Sequence, residues 1–257
     1  MKILFVGDVV GSPGRRIVKD RLLGLVDRHA VDFTIVNVEN AAGGFGITPE
    51  VMAELDGLPI DAFTSGNHIW DKKEGLPLLE DGRVLRPANY PEGNPGAGVH
   101  VGETAAGVPV AVLNLEGQVF MKALDSPFRT ADRVLADLPR QVKVVVVDFH
   151  AEATSEKQAL GFYLDGRVSA VLGTHTHVPT ADERLLPKGT AFLSDVGMTG
   201  PYESIIGMNV EKVLHRFLMH TPSSFEVAKK DVRLAAVVLD VDETTGHARG
   251  IERLLIS

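Results

Sequence analysis

The sequence predicts an α/β fold in which central β-sheets are flanked by helices. Short runs of Val, Ile, Leu and Phe recur along the chain without alternating polar residues, which is typical of strands buried on both faces. Amphipathic segments lie between several of these runs, so strands and helices are expected to alternate. No repeat, low-complexity tract or linker divides the sequence, and we therefore expect a single domain over residues 1–257.

Eight apolar runs are predicted to be strands. They cover residues 2–8, 32–40, 61–68, 109–117, 143–151, 169–177, 190–197 and 233–241. The eighth run is followed by the polar segment 242–250 and then by further apolar residues, which predicts a terminal β-hairpin. The segment 89–98 is rich in Pro and Gly and is predicted to be a loop between strands.

Four segments are predicted to be helices because apolar residues recur in them at helical spacing. They are the segment that begins at Ser12 and residues 48–58, 126–138 and 209–220. Ser12 is predicted to cap the first helix, with Pro13 at its first position. Thr48 and Ser126 are likewise followed by proline, which indicates the same type of helix start.

The composition excludes several kinds of site and partner. The chain has no cysteine, which excludes disulfides, thiolate metal sites and a cysteine nucleophile, and which fits a reducing cytoplasm. The net charge of −8 and the absence of a long Lys/Arg run argue against stable binding of a nucleic-acid polymer. No stretch approaches the ~18–20 apolar residues of a membrane span, and Asp8 interrupts the first run too early for a signal peptide. We therefore expect a cytoplasmic protein that does not bind membranes.

Metal-ligating or proton-transferring side chains follow five of the predicted strands. They are Asp8, Glu39 with Asn40, Asn67 with His68, His150, and His175 with His177. Ligands of α/β proteins collect at the carboxyl ends of the strands, so these side chains are expected to meet. Their mixture of nitrogen and oxygen donors suits Mn, Fe or Zn better than Ca or Mg. All of them except His68 are candidate metal ligands, and seven ligands suit two ions that share one carboxylate.

Each of these residues also has a simpler interpretation when it is taken alone. A single buried histidine is more often a hydrogen-bonded core residue than a ligand, but three beside Asp8 and Glu39 favour metal binding. Asn40 alone would be interpreted as a loop residue. In an extended chain His175 and His177 point to the same side, so both are expected to face one cavity.

Other polar residues leave two interpretations open. Glu152, Glu156 and Asp195 are candidate partners of the ligating imidazoles or surface carboxylates. Arg129 is a candidate contact for a substrate phosphate or an exposed helix residue. The segment 41–46, AAGGFG, is predicted to be a loop that needs positive φ angles.

These motifs resemble those of the calcineurin-like metallophosphoesterases. The resemblance is carried by Gly-Asp at 7–8, GNHIWD at 66–71, His150 and GTHTH at 173–177. Two positions depart from the superfamily pattern: Val10 stands where a histidine is usual, and Glu39 replaces the usual bridging aspartate. At both positions the sequence is similar to one bacterial branch of the superfamily. This branch is the YmdB-type phosphodiesterases, which act on 2′,3′-cyclic nucleotides. That branch also resembles this chain in the stretches GDVVGSPGR, VENAAGGFGIT and DFHAEATSEK.

The resemblance implies a layered metallophosphoesterase fold and a metal-dependent phosphoric diester hydrolase. It implies that Asp8, Glu39, Asn40 and His177 hold one metal and that Glu39, Asn67, His150 and His175 hold the other. The metals would be iron, with manganese or zinc as alternatives, and a hydroxide that bridges them would attack phosphorus. His68 would protonate the leaving ribose oxygen, although a role as ligand or structural contact stays open.

Other functions are compatible with the same residues. The dimetal site would also serve a phosphatase, a nucleotidase or an RNase, although the acidic net charge weighs against long RNA. A non-catalytic regulator of RNA decay is a third alternative, and the intact ligand set argues against it. The resemblance makes a homo-oligomer an expectation, but no surface stripe in the sequence predicts one.

Overall fold

The fold consists of two β-sheets and the helices that cover them, in a computed structural model that describes residues 1–80, 82 and 84–257. The strands are β1 (Lys2–Val6), β2 (Phe33–Asn37), β3 (Ala62–Thr64), β4 (Val99–Glu103), β5 (Pro109–Glu116), β6 (Val144–His150), β7 (Ala170–Thr174), β8 (Arg184–Leu185), β9 (Ala191–Leu193), β10 (Gly200–Pro201), β11 (Val232–Val241) and β12 (Ala248–Ile256). The α-helices are α1 (Gly11–His29), α2 (Pro49–Ala53), α3 (Pro127–Asp137), α4 (Thr154–Leu164) and α5 (Val210–Met219). Two 3₁₀ helices cover Asn67–Trp70 and Lys73–Leu79.

The first sheet contains both ends of the chain. Its order is β10, β11, β1, β2 and β3, and β12 also pairs with β11. β1, β2 and β3 run parallel, whereas β11 is antiparallel to β1 and β12. The pairing of β11 with β12 confirms the hairpin that the sequence predicts.

The second sheet has the order β4, β5, β6, β7, β9 and β8. β5, β6, β7 and β9 are parallel, and the antiparallel strands β4 and β8 close the two edges. All seven residues of β6 are buried, which confirms the burial on both faces that its continuous apolar run predicts.

Three apolar clusters define the layers. The middle cluster joins the sheets face to face, with Phe5 and Ile35 from the first sheet and Val146 and Leu172 from the second. A second cluster packs α1 and α2 on the outer face of the first sheet, and a third packs α3 and α4 on the outer face of the second. The predicted α/β fold with central sheets flanked by helices is therefore confirmed.

Several predicted boundaries were wrong. α1 begins at Gly11, so Ser12 lies inside its first turn and is not the cap; Val10 precedes the helix without a side-chain hydrogen bond. α2 ends at Ala53 rather than near residue 58. The Thr48 and Ser126 caps are confirmed, since their hydroxyls accept the N–H groups of residues 51 and 129.

β4 and α4 are among the elements that were not predicted, and each has a physical reason. β4 is a half-exposed edge strand, so it lacks a continuous apolar run. α4 begins after Ala153 without a side-chain cap, so no helix-start signal marks it. Within the described part of the chain, no helix has both the length and the apolar character that a membrane span requires.

Adjacent leucines of α1 provide a test of this layering. Leu22 is completely buried against the first sheet, whereas Leu23 is 58% exposed. We expect Leu22→Ala to lower the free energy of unfolding by about 2–5 kcal/mol, because it removes packed methyl groups and leaves a cavity. Leu23→Ala should change it by less than about 0.5 kcal/mol. Urea unfolding of both variants measures the difference, and equal effects would contradict the packing of α1.

Candidate active site

The carboxyl ends of strands from both sheets meet at one cavity. The cavity has a volume of about 410 Å³ and is lined by Glu39, Asn40, Gly44, Phe45, His68, Glu152, His175, Thr176, His177, Ile206, Met208 and Phe225. The first sheet supplies Asp8, Glu39, Asn40, Asn67 and His68, and the second supplies His150, His175 and His177. All eight side chains predicted for the site are thus brought to one edge of the fold.

The carboxylates and imidazoles form two groups that share one member. Donor atoms of Glu39, His150 and His175 lie within 4.8 Å of one another, and so do those of Asp8, Glu39 and His177. The Nε2 atom of His150 lies 3.2 Å from Glu39 Oε1 and 3.0 Å from His175 Nδ1. One proton on His150 cannot satisfy all of these neighbours, so the converging lone pairs fit a cation.

Each of the three histidines has a partner on the ring nitrogen that faces away from this centre. His177 Nδ1 donates to the Ile206 carbonyl at 2.9 Å, and His175 Nε2 lies 3.1 Å from Glu152 Oε2. His150 Nδ1 lies 3.0 Å from the Thr174 hydroxyl. Outer partners of this kind fix the tautomer in which the inner nitrogen is unprotonated, which is the form that binds metals.

Both asparagine amides direct oxygen toward the imidazoles. Asn67 Oδ1 lies 3.0 Å from His150 Nε2, and Asn40 Oδ1 lies 3.2 Å from His177 Nε2. Asn40 Nδ2 donates to the Gly44 carbonyl at 3.0 Å, which fixes the orientation of the amide. Asn40 therefore offers a metal-ligating oxygen atom, which the apolar side chain of Val10 cannot offer.

Burial of the two carboxylates makes the centre attractive to positive charge. Burial raises the pKa of Asp8 to about 7, and its Oδ1 atom has no hydrogen-bond partner among the residues that the structure describes. Burial alone would lower the pKa of His150, but the charge and hydrogen bond of Glu39 outweigh it and raise the pKa to about 9. A buried carboxylate pair is stable only when cations or protons compensate its charge, so the donor set fits metal ions.

A series of buried, hydrogen-bonded polar side chains contacts the outer nitrogen of His150 and joins the two sheets. The Thr174 hydroxyl donates to Asp148 Oδ1 at 2.7 Å, so its oxygen accepts from His150 Nδ1. Asp148 Oδ2 accepts from Asn37 Nδ2 of the first sheet at 2.9 Å. These three residues were not predicted from the sequence, although polar side chains inside apolar runs were a signal for them.

The prediction that His175 and His177 lie in an extended strand was wrong. β7 ends at Thr174, and the two histidines have φ angles of 100° and 66°, in the left-handed region. Asp195 stabilises this turn, because its Oδ2 accepts from the backbone N–H and the hydroxyl of Thr176 at 3.1 and 2.8 Å. Both imidazoles still face the centre, but the turn rather than strand alternation directs them.

His68 lies at the cavity beside a carboxylate that sequence analysis missed. Its Nδ1 atom is 2.8 Å from Asp71 Oδ2, and its backbone N–H donates to Glu39 Oε2 at 3.2 Å. Phe45 packs against the imidazole with 4.9 Å between ring centroids. Asp71 accepts the Nδ1 proton, so the other ring nitrogen is available for proton transfer. Asp71 follows the 3₁₀ helix Asn67–Trp70 and lies three residues after His68, and this spacing was the signal for the pair.

The remaining candidates have separate roles. Glu152 contacts His175 as described, whereas Glu156 accepts the backbone N–H groups of Gln118 and Val119 at 2.9 and 3.2 Å and binds no imidazole. Asp195 holds the turn backbone rather than a ring nitrogen. Arg129 is an exposed residue of α3 and does not line the cavity, which favours its interpretation as a solvated helix residue.

Glycines allow the close approach of the loops. Gly43, Gly44 and Gly46 have φ angles of 71°, 100° and 69°, which confirms the predicted conformation of the AAGGFG loop. Gly66 has no room for a side chain, because a Cβ atom there would overlap His150 and the Glu39 carboxylate.

Comparisons with known proteins cover the whole chain. A sequence model described as YmdB-like protein matches residues 4–254. A Bacillus subtilis (strain 168) protein named 2′,3′-cyclic-nucleotide 2′-phosphodiesterase is 51% identical over 258 residues, which is 100% of this chain and 97% of that protein.

Solved structures agree with this similarity. A hypothetical protein from Thermus thermophilus superposes with a TM-score of 0.94 at 46% identity and covers 99% of this chain and 98% of its own. A structure described as a novel phosphatase from Mycoplasma pneumoniae has a TM-score of 0.93 at 35% identity, covering 100% of this chain and 93% of its own. The chain therefore has the fold of that phosphatase.

The turn that carries the histidines yields a stability prediction. Asp195 also accepts from Lys157 Nζ at 2.7 Å, and both side chains are buried. We expect Asp195→Ala to lower the free energy of unfolding by about 3–5 kcal/mol, because it leaves Lys157 buried without a partner. Asp132→Ala, which breaks an exposed pair with Arg167, should lower it by only about 0–1 kcal/mol. Denaturant unfolding of metal-free protein measures both, and a small effect at Asp195 would contradict its role in the turn.

Proposed function

Because the chain belongs to the YmdB-like family, we propose that it is a phosphodiesterase that hydrolyses 2′,3′-cyclic nucleotides. The observation that supports this most strongly is the convergence of three imidazole nitrogens and two buried carboxylates beside His68. The 51% identity to a relative named for this activity supports the same substrate class. The substrate is a small molecule that fits a cavity of about 410 Å³.

The proposed centre would hold two metal ions, with Glu39 a member of both ligand groups. One group is Asp8, Glu39, Asn40 and His177, and the other is Glu39, Asn67, His150 and His175. When bound, the cations supply Lewis acidity toward the phosphoryl group and the attacking water. We propose iron, with manganese and zinc as alternatives, because mixed nitrogen and oxygen donors suit these metals.

His68 is proposed to protonate the ribose oxygen that leaves phosphorus. An alkoxide is a poor leaving group, so proton transfer from a positioned acid lowers the barrier. Asp71 orients the imidazole through its contact with Nδ1, while Phe45 packs against the ring. The main-chain N–H of His68 is also bonded to Glu39, which ties the acid to the proposed metal ligands.

We propose that residues 1–257 form one catalytic domain that acts in the cytoplasm. The support for one domain is that neither sheet alone contains the site: Asp8 and Glu39 come from the first sheet, and His150 and His177 come from the second. The cysteine-free composition fits the reducing compartment.

The role of His68 is tested by changing the leaving group. We expect His68→Ala to lower kcat for 2′,3′-cyclic AMP by about 10²–10⁴-fold, with metal content unchanged. The loss for bis-p-nitrophenyl phosphate should be much smaller, because nitrophenolate leaves without a proton. His215→Ala, an exposed histidine of α5, is the matched control. Equal losses for both substrates would contradict the acid role.

The shared ligand is tested through metal content. Glu39→Gln removes the carboxylate charge common to both groups, so we expect it to lose bound metal and turnover together while its circular dichroism spectrum stays unchanged. Glu92→Gln, an exposed loop position, should keep both. Elemental analysis of the reconstituted proteins measures the ratio of metal to chain. A Glu39→Gln variant with the wild-type ratio and activity would contradict the shared site.

A further inference from the structure

The cavity has two walls of different chemistry. The wall described above carries the carboxylates and imidazoles, where a phosphodiester group would bind. A second set of lining residues, here called the apolar wall, consists of Gly44, Phe45, Ile206, Met208 and Phe225. The proposed mechanism uses none of these side chains except Phe45, so the surface that they form has no assigned role.

Phe225 presents aromatic surface at the cavity. Its side chain is 49% exposed, although a phenyl ring of this size is normally buried. The ring is held from two sides: Phe45 lies 5.6 Å away between centroids, and the Arg216 guanidinium lies 4.8 Å from the ring centroid. An exposed ring that is fixed in place offers a contact surface for a planar apolar group.

The apolar wall is connected rigidly to the catalytic residues. Phe45 packs on His68, and the Ile206 carbonyl accepts the Nδ1 proton of His177. Gly44 packs closely under Met208, where a Cβ atom would lie 2.7 Å from the Met208 methyl group. The distance from the apolar wall to the phosphate-binding wall is therefore set by direct contacts.

We propose that the apolar wall is the subsite for the nucleobase, with Phe225 packing against the base. This inference rests on the proposed function and specifies how its substrate is held. A cyclic nucleotide joins an anionic phosphodiester to a planar base through one ribose, which matches the two walls of a cavity of about 410 Å³. Bases pack on aromatic side chains through their π faces without regard to sequence.

The composition of the apolar wall also predicts which bases are accepted. None of its five residues carries a side-chain hydrogen-bond donor, so the wall cannot read the edge of a base by donating a side-chain proton. We therefore expect 2′,3′-cyclic AMP, GMP, CMP and UMP to be hydrolysed with comparable kcat/KM, with the larger purines favoured.

The test compares a substrate with a base and one without. We expect Phe225→Ala to raise KM for 2′,3′-cyclic AMP by about 5- to 150-fold, and to change KM for glycerol 1,2-cyclic phosphate much less. Phe225→Trp should restore the KM for the nucleotide. Phe217→Ala, a 71% exposed position of α5 outside the cavity, is the control. Equal changes for the two substrates, or no change for either, would overturn the subsite.

A binding measurement separates this inference from the proposed function. If the wild-type protein hydrolyses neither 2′,3′-cyclic AMP nor glycerol 1,2-cyclic phosphate, the proposed function fails. Calorimetry with adenosine 3′-monophosphate and with glycerol phosphate then tests the subsite by binding alone. Weaker binding of the nucleotide alone in Phe225→Ala would support the subsite. Equal affinities of the variant and the wild-type protein for the nucleotide, or no binding of it by either, would overturn it.

Discussion

The burial of two carboxylates at one point is the constraint on which the rest of the site depends. Asp8 and Glu39 are removed from water, and only nearby positive charge can offset the cost of ionising both. The surrounding groups satisfy this constraint in two ways. The inner imidazole nitrogens and amide oxygens supply lone pairs for cations, and the outer contacts hold those groups in the required tautomer and orientation.

The two sheets contribute different chemical groups to the site. The first sheet contributes both carboxylates and the proposed acid, and the second contributes the three imidazoles. The chain from Asn37 through Asp148 to Thr174 crosses the interface directly below the centre. The packing of the two sheets therefore determines the geometry of the candidate ligand atoms, because a shift between the layers would separate them.

The positions of the candidate ligands could be predicted because each follows a continuous apolar run, and parallel strands end at a common edge. His150 and Glu39 are examples, since their runs are unambiguous in the sequence. The conformation of His175 and His177 could not be predicted, because positive φ angles at non-glycine residues depend on distant contacts such as Asp195. The roles of Asp148 and Thr174 were also hidden, because a polar residue within a strand has no sequence signal for its partner.

Strand order has a consequence for how the chain is made. β1 lies between β2 and β11, so the edge of β1 that accepts β11 is open until residue 232 and those after it leave the ribosome. At ~5–20 residues per second, translation from Val6 to Val232 takes about 11–45 s. Throughout that time the nascent chain exposes an apolar strand edge, the feature that promotes pairing with other chains. The interval before β11 inserts is thus a stage of synthesis at which the chain is exposed to aggregation.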